Sequence, residues 1–278
     1  MVYANAKLSL KYDSYASEPG SCYNFHANTI LDFADISQDS SLKVCEIGAG
    51  TGTTTLKLLN RLSLKNSFSL ITEPDKYMIK KLYEKISKYP YKNCHILNCL
   101  GEEIAEKTDM REFDIIISNF TLMHLDLKKV LSNAYELLSP GKKFIGSFFS
   151  VVIGPPEKND FYNIFDNKIR QYSCELNSDY QSPFKTIITY KDLELLSSSL
   201  NFKFEHKEIY RTENKVLFEK AFDLFIDRNF YKCLHSKENN LSKRTAIKVL
   251  KDLADETYNE LGEFNYGVTF LIFTKSAK

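Results

Sequence analysis

Three glycines at alternate positions, Gly48, Gly50 and Gly52, follow an apolar run that ends in the carboxylate of Glu46 within LKVCEIGAGTGTTTLKLL, residues 42–59. Without Cβ atoms the backbone turns sharply there and comes close to a ligand, and Thr53, Thr54 or Thr55 stands where a following helix needs its cap. Such a turn between strand and helix suits a nucleotide-like ligand. A second carboxylate, Glu73, closes the apolar run FSLIT (68–72), 25 residues after Gly48, near the spacing at which an acid meets a ribose in doubly wound folds. A third chemical group, His124, lies in TLMHL just past the apolar run FDIIISN (113–119). Its imidazole is suited to taking a proton near neutral pH, and equally to capping the helix that follows.

The glycine spacing excludes one cofactor class. A dinucleotide fingerprint, G-x-G-x-x-G, needs Gly or Ala in its third place, which Thr53 fills counting from Gly48 and Thr55 counting from Gly50. Glu46 through Gly52 instead reads E-x-G-x-G-x-G and resembles the first motif of the class I S-adenosylmethionine-dependent methyltransferases. The resemblance implies S-adenosylmethionine as cofactor and S-adenosylhomocysteine as product. Gly48, Ala49, Gly50 and Gly52 would pass under the methionine end, with Glu46 anchoring its ammonium directly or through water. Glu73, followed by Pro74, would grip both ribose hydroxyls, while Asp75 caps the next helix. The family's acidic residue after the third strand is missing from CHILNCL (94–100), so the adenine contact falls to Cys99, the Leu100 backbone or Glu102. Asn119 stands where the fourth strand ends and is expected to contact cofactor or substrate. Tyr15, with Tyr12, resembles the arm tyrosines that fold over the cofactor in this family; the plainer reading is two buried aromatics in a chain of 17 tyrosines.

Ser118-Asn119-Phe120-Thr121 occupies the place where the base- and glutamine-methylating type carries N-P-P-Y/F, which sets that type aside. The plan of arm, core and late insertion is similar to malonyl-acyl-carrier-protein and trans-aconitate O-methyltransferases. The histidine after the fourth strand is similar to that of phosphoethanolamine N-methyltransferases. The resemblance thus implies methylation of O or N on a small molecule, with a carboxylate or a carrier-bound acyl group among the acceptors and an acyl carrier protein as a candidate partner. Arg170, Arg211, Arg228 and Arg244 are candidates to hold a carboxylate bidentately, or else are solvated. A second reading keeps the cofactor without methyl transfer, as in cyclases and isomerases of this fold. A third is a protein or RNA methyltransferase, and a net charge of +1 counts against RNA. His26, His95, His206 and His235 are dispersed and the six cysteines include no C-x-x-C pair, so no metal site is expected.

These groups need a scaffold that brings several strand ends to one edge. From residue 42 to 150 apolar strands and amphipathic helices alternate, which predicts an α/β fold with a doubly wound, mostly parallel sheet. The resembled Rossmann-like methyltransferase fold has seven strands, the last one inserted antiparallel between the fifth and sixth. Leu127, Val130, Leu131, Ala134, Leu137 and Leu138 recur at helical spacing, and Pro140-Gly141 reads as the stop before the fifth strand. Residues 1–20 read as an irregular arm, 22–36 and 189–200 as helices, 202–210 and 266–274 as strands, and Gly154-Pro155-Pro156 as a break opening a polar, aromatic segment to Lys185. The core thus comprises 1–210 and 266–278. Residues 211–265 form an insertion whose two amphipathic stretches predict a helical lid or a stabilising cap. With 43% apolar and 26% charged residues the chain has the composition of a folded globule, and no apolar run approaches the roughly 18 residues that span a bilayer. Reduced thiols and the lack of a signal-like apolar start point to the cytoplasm, with no membrane partner.

Overall fold

The computed structural model describes residues 6–63, 65–90, 93–153, 161–176, 182, 188–228, 230–234 and 241–277; the sequence features at 1–5, 154–156, 185 and 235 lie outside them. The strands are β1 (Lys43–Ile47), β2 (Phe68–Thr72), β3 (Cys94–Leu97), β4 (Phe113–Ser118), β5 (Leu138–Phe149), β6 (Phe202–Glu213) and β7 (Phe264–Lys275). The helices are α1 (Ala6–Ala16), α2 (Cys22–Phe33), α3 (Thr53–Arg61), α4 (Lys76–Ile86), α5 (Ile104–Lys107), α6 (Leu127–Leu137), α7 (Phe161–Glu175), α8 (Tyr190–Ser199), α9 (Lys215–Asp227) and α10 (Lys243–Leu261). The strands make one sheet in the order β3-β2-β1-β4-β5-β7-β6, parallel through β5 and closed by an antiparallel C-terminal pair. The order reverses beside β1, between β2 and β4, so the crevice above the carboxyl ends of β1 and β4 is the topological switch point where such sheets take ligands.

By its contacts the chain divides into two compact units. The first, Met1–Phe148 with Thr189–Glu208 and Thr269–Lys278, holds most of the sheet. Ile115, Ile116 and Ile117 in β4 are all buried, as a strand covered on both faces requires, and α6 buries Val130, Leu131, Ala134 and Leu137 as one apolar stripe. Pro140-Gly141 does not stand before β5 but within it. The β4–β5 pairing jumps from Phe113 with Leu138 to Ile115 with Lys143, and this irregularity lodges the proline and Gly141 without breaking the ladder that follows.

Two expectations are corrected by the first and second units. The arm is helical from Ala6: no glycine or proline interrupts AKLSLKYDSYA, and Leu8, Tyr15 and Ala16 are buried on one side. An ion pair from Asp13 to Lys85 ties α1 to α4. In the second unit, Phe149–Ile188 with Ile209–Val268, the polar, aromatic segment contains α7, whose Phe161, Tyr162, Phe165 and Ile169 recur at helical spacing. This unit therefore unites the insertion, with its helices α9 and α10, and residues 149–188. Its core is aromatic: Phe161 lies 5.0 Å from Phe218 and 4.9 Å from Phe264, and Phe165 lies 5.4 Å from Phe222, ring centre to ring centre. Lys168 on α7 bridges Glu256 and Glu260 on α10. Among the described residues no helix is long and apolar enough to cross a membrane, and all six cysteines are free thiols.

Candidate functional site

The turn after β1 is held from below by its neighbour strand. The N–H groups of Gly48 and Ala49 both donate to the Thr72 carbonyl, at 3.0 and 2.9 Å, and Gly50 N–H donates to Glu73 Oε2 at 2.8 Å. Gly48 and Gly50 take φ of +74° and +57°, the left-handed region that side chains resist. At Gly48 a Cβ would stand 2.2 Å from Thr121 Cγ2, and at Gly50 it would meet the Tyr12 ring at 3.4 Å. The turn is thus pressed between β4's continuation on one side and α1 on the other.

The threonines after it do other work than the sequence suggests. Gly52 is the N-cap of α3 and no side chain caps this helix. Thr55 Oγ1 donates to Glu46 Oε2 at 2.6 Å, and Thr54 Oγ1 accepts from Asn119 Nδ2 at 3.1 Å. Asp75 does cap α4, accepting from the N–H groups of Tyr77 and Met78.

Above the turn lies a cavity of about 330 Å³, within the range of small-molecule sites. It brings together Gly48, Gly50, Glu73, Pro74, Leu100 and His124. Tyr12 and Thr121 line it as well. Of the expected cofactor contacts, Tyr15, Glu46, Ala49, Gly52, Cys99, Glu102 and Asn119 do not line it. Tyr15 is 4% exposed and packs edge-on to Tyr23 at 5.8 Å; because α1 is a helix, Tyr12 takes the outward position over Gly50 and Tyr15 the inward one. Ala49 and Cys99 are buried, and Gly52 backs onto Leu82, where a Cβ would come within 2.6 Å. Asn119 spends its amide on Thr54 and on Ser147, whose hydroxyl donates to Asn119 Oδ1 at 2.7 Å. Glu46 is buried and turned to α3 by strand alternation, bonded by Thr55. Thr121 had no signal of its own beyond its place in the Ser118–Thr121 turn, because its role comes from a contact 73 residues away, the bond from its hydroxyl to the Gly48 carbonyl at 3.0 Å.

Burial raises the Glu73 carboxyl above its ordinary value, offset by the N–H donors of Asp75 and Gly50 and reinforced by the Asp75 charge. Glu46 is pushed up to about 7, by burial first, with the Thr55 hydroxyl pulling down and the Glu73 charge pushing up. A carboxyl raised in the folded state binds its proton more tightly there than in the unfolded chain. Its contribution to stability is therefore whole below the ordinary carboxylate range and is lost as pH rises through about 7. The stability gap between wild type and Glu46→Gln, which can still accept from Thr55, should open by about 3 kcal/mol in favour of the variant between roughly pH 4 and pH 8. Urea unfolding of both proteins at the two pH values checks this; parallel curves would contradict it.

Residues 45–144 match the family model of the methyltransferase domain. This segment is an S-adenosylmethionine-dependent methyltransferase domain. The chain is 27% identical over 205 residues to the carboxy-S-adenosyl-L-methionine synthase of Shewanella halifaxensis, covering 72% of this chain and 76% of that one. Among solved structures it superposes on Haemonchus contortus phosphoethanolamine N-methyltransferase 2, in complex with phosphomonomethylethanolamine and S-adenosylhomocysteine, with TM-score 0.58 and 13% identity over 98% of this chain. It spans 58% of that protein's length. The cyclase SpnF gives TM-score 0.60 at 8% identity, over 98% of this chain and 94% of that one. At these identities the two structures attest the fold.

The residues present fit the cofactor. Glycines at 48 and 50 leave the cavity floor bare, each Glu73 oxygen retains a lone pair beyond the backbone donor it already serves, and Pro74 and Leu100 supply apolar wall. Burial holds Cys99 up to about 11, so behind Leu100 this residue is an uncharged thiol.

Proposed function

We propose that the methyltransferase acts on a protic nitrogen or oxygen of a small molecule, with His124 accepting the proton. The observation that carries the reading is that His124 lines the same cavity as the glycine turn and Glu73. S-adenosylmethionine supplies a methyl group on a sulfonium that leaves as a neutral thioether. The chain's own task is alignment and exclusion of water. Tyr12 covers Gly50 from α1, Thr121 fixes the turn, and an imidazole nitrogen of His124 takes the acceptor's N–H or O–H proton. The described lining contains two carboxylates, Glu73 and Asp75, and no lysine or arginine. That supports an amine or hydroxyl acceptor over the carboxylate or carrier-bound acyl group that the plan of the chain suggests.

A second reading has its own support in the 27% identity to a carboxy-S-adenosyl-L-methionine synthase. In it the sulfonium compound is itself the molecule modified. One experiment separates the two: S-adenosylmethionine is incubated with the enzyme and a panel of small amines, alcohols and carboxylic acids, and the products are weighed by mass spectrometry. Acceptor-dependent S-adenosylhomocysteine supports methyl transfer, whereas a carboxylated sulfonium compound supports the second reading. On the active acceptor His124→Gln should lower kcat by about 10²-fold with S-adenosylhomocysteine affinity unchanged, and an undiminished kcat would remove His124 from the chemistry.

A further inference from the structure

We propose that Ser147, acting with Asn119 and Thr54, is a positioning residue that holds the loop carrying His124 in a strained form needed for proton transfer; the inference rests on His124 being the base. The strain is visible at Phe120. This residue follows Asn119 at the end of β4 and takes φ of +54°, a conformation that a bulky aromatic side chain resists. Its ring is 5% exposed and packs edge-on to Tyr23 at 5.2 Å and His26 at 5.8 Å. The reversal brings the chain to the glycine turn. Thr121 lands on the Gly48 carbonyl, and a short 3-10 turn, Leu122–His124, follows with His124 N–H donating to the Thr121 carbonyl at 2.9 Å.

One hydroxyl brackets that strained peptide. Ser147 Oγ, on β5 and fully buried, accepts from Phe120 N–H at 3.0 Å and donates to Asn119 Oδ1 at 2.7 Å. Asn119 Nδ2 in turn donates to Thr54 Oγ1 on α3 at 3.1 Å. Relaxing Phe120 to an ordinary φ would break the bracket and strand polar groups away from water, which is how surrounding structure maintains a strained residue at a working site. Neither Ser147 nor Asn119 lines the cavity, so the effect reaches His124 through the loop between them. The same bonds explain why Asn119, expected at the cofactor, faces elsewhere.

The test compares Ser147→Ala, Thr54→Val and His124→Gln on whichever acceptor that panel yields, each by kcat, KM, the pH profile of kcat, and the stoichiometry of S-adenosylhomocysteine binding. If the bracket positions His124, Ser147→Ala lowers kcat by about tenfold to a hundredfold per cofactor-binding site and displaces the acidic limb of the profile, because a misplaced base loses rate far out of proportion to its shift. Thr54→Val, which conserves volume, gives the same signature about threefold to tenfold deep and carries the test if Ser147→Ala does not fold. Wild-type kcat and profile per binding site in the variant that folds overturn the proposal. A fall in kcat that is matched by lost stoichiometry, with an unmoved profile, overturns it too. Undiminished kcat in His124→Gln defeats the reading of His124 as base, whereas impaired His124→Gln beside normal Ser147→Ala and Thr54→Val defeats the positioning role alone.

Discussion

Glu73→Ala should weaken S-adenosylmethionine and S-adenosylhomocysteine binding on the order of 10³-fold, about 4 kcal/mol, and lower the stability of the free protein as well. The carboxylate is 7% exposed and serves two backbone donors at once: Gly50 N–H at 2.8 Å on one oxygen and Asp75 N–H at 2.9 Å on the other. It therefore ties the glycine turn to the start of α4. Removing it orphans two N–H groups, each at a cost of about 1–3 kcal/mol, and takes both oxygens' remaining lone pairs out of the cavity lining. Glu73→Gln keeps one acceptor but turns an amide N–H against the second donor, so its affinity should fall between wild type and Glu73→Ala. Isothermal titration with S-adenosylhomocysteine ranks the three proteins. Affinity in Glu73→Ala within threefold of wild type would mean that the turn holds its shape and its ligand without this residue.

Gly48→Ala should destabilise the protein by about 3 kcal/mol and abolish measurable cofactor binding, whereas Gly141→Ala should cost about 1 kcal/mol and leave binding intact. The two glycines share nearly the same φ, +74° and +76°, so the strain of an alanine at positive φ is common to both. They differ in room. A Cβ at Gly48 meets Thr121 atoms at 2.2, 2.5 and 2.7 Å, while at Gly141 nothing lies within 4 Å. The clash at 48 cannot be relieved by Thr121 alone, because its hydroxyl holds the Gly48 carbonyl and its backbone leads into the His124 turn. The difference between the two urea midpoints isolates overpacking from strain, and equal midpoints would show that the turn opens freely.

Local pattern carried most of the scaffold into view. FSLIT coincides with β2 residue for residue, and the recurrence of Leu127, Val130, Leu131, Ala134 and Leu137 is the buried face of α6. The glycine turn was legible for the same reason, since its demands fall on adjacent residues. What escaped was set by distant partners. Asn119 looked exposed to a ligand because nothing in its own neighbourhood announces Ser147, 28 residues on, which claims its amide. Glu46 has the spacing of a ligand anchor but lies on the strand face that meets α3, where Thr55 takes it. Tyr15 and Tyr12 could not be told apart without knowing that the arm is helical, and that follows from docking on α4 through Asp13 and Lys85 as much as from propensity. The helix Phe161–Glu175 was legible in the spacing of Phe161, Tyr162, Phe165 and Ile169, but the polar residues between them make the segment read as irregular.

The position of β1 in the middle of the sheet also has a consequence for synthesis. Its strand is complete at Ile47, yet the bond from Ser118 Oγ to the Ile47 carbonyl spans 71 residues and that from Thr121 to Gly48 spans 73. A ribosome moving at about 5–20 residues per second needs several seconds to supply those partners, and only after they emerge does the turn gain its second wall. Throughout that interval β1 presents an unpaired edge of Val44, Cys45 and Glu46 on the side that β4 will fill. The most ligand-specific feature of the chain is thus made well before the wall that shapes it, and the nascent protein must keep a sheet edge from finding the wrong neighbour until its fourth strand arrives.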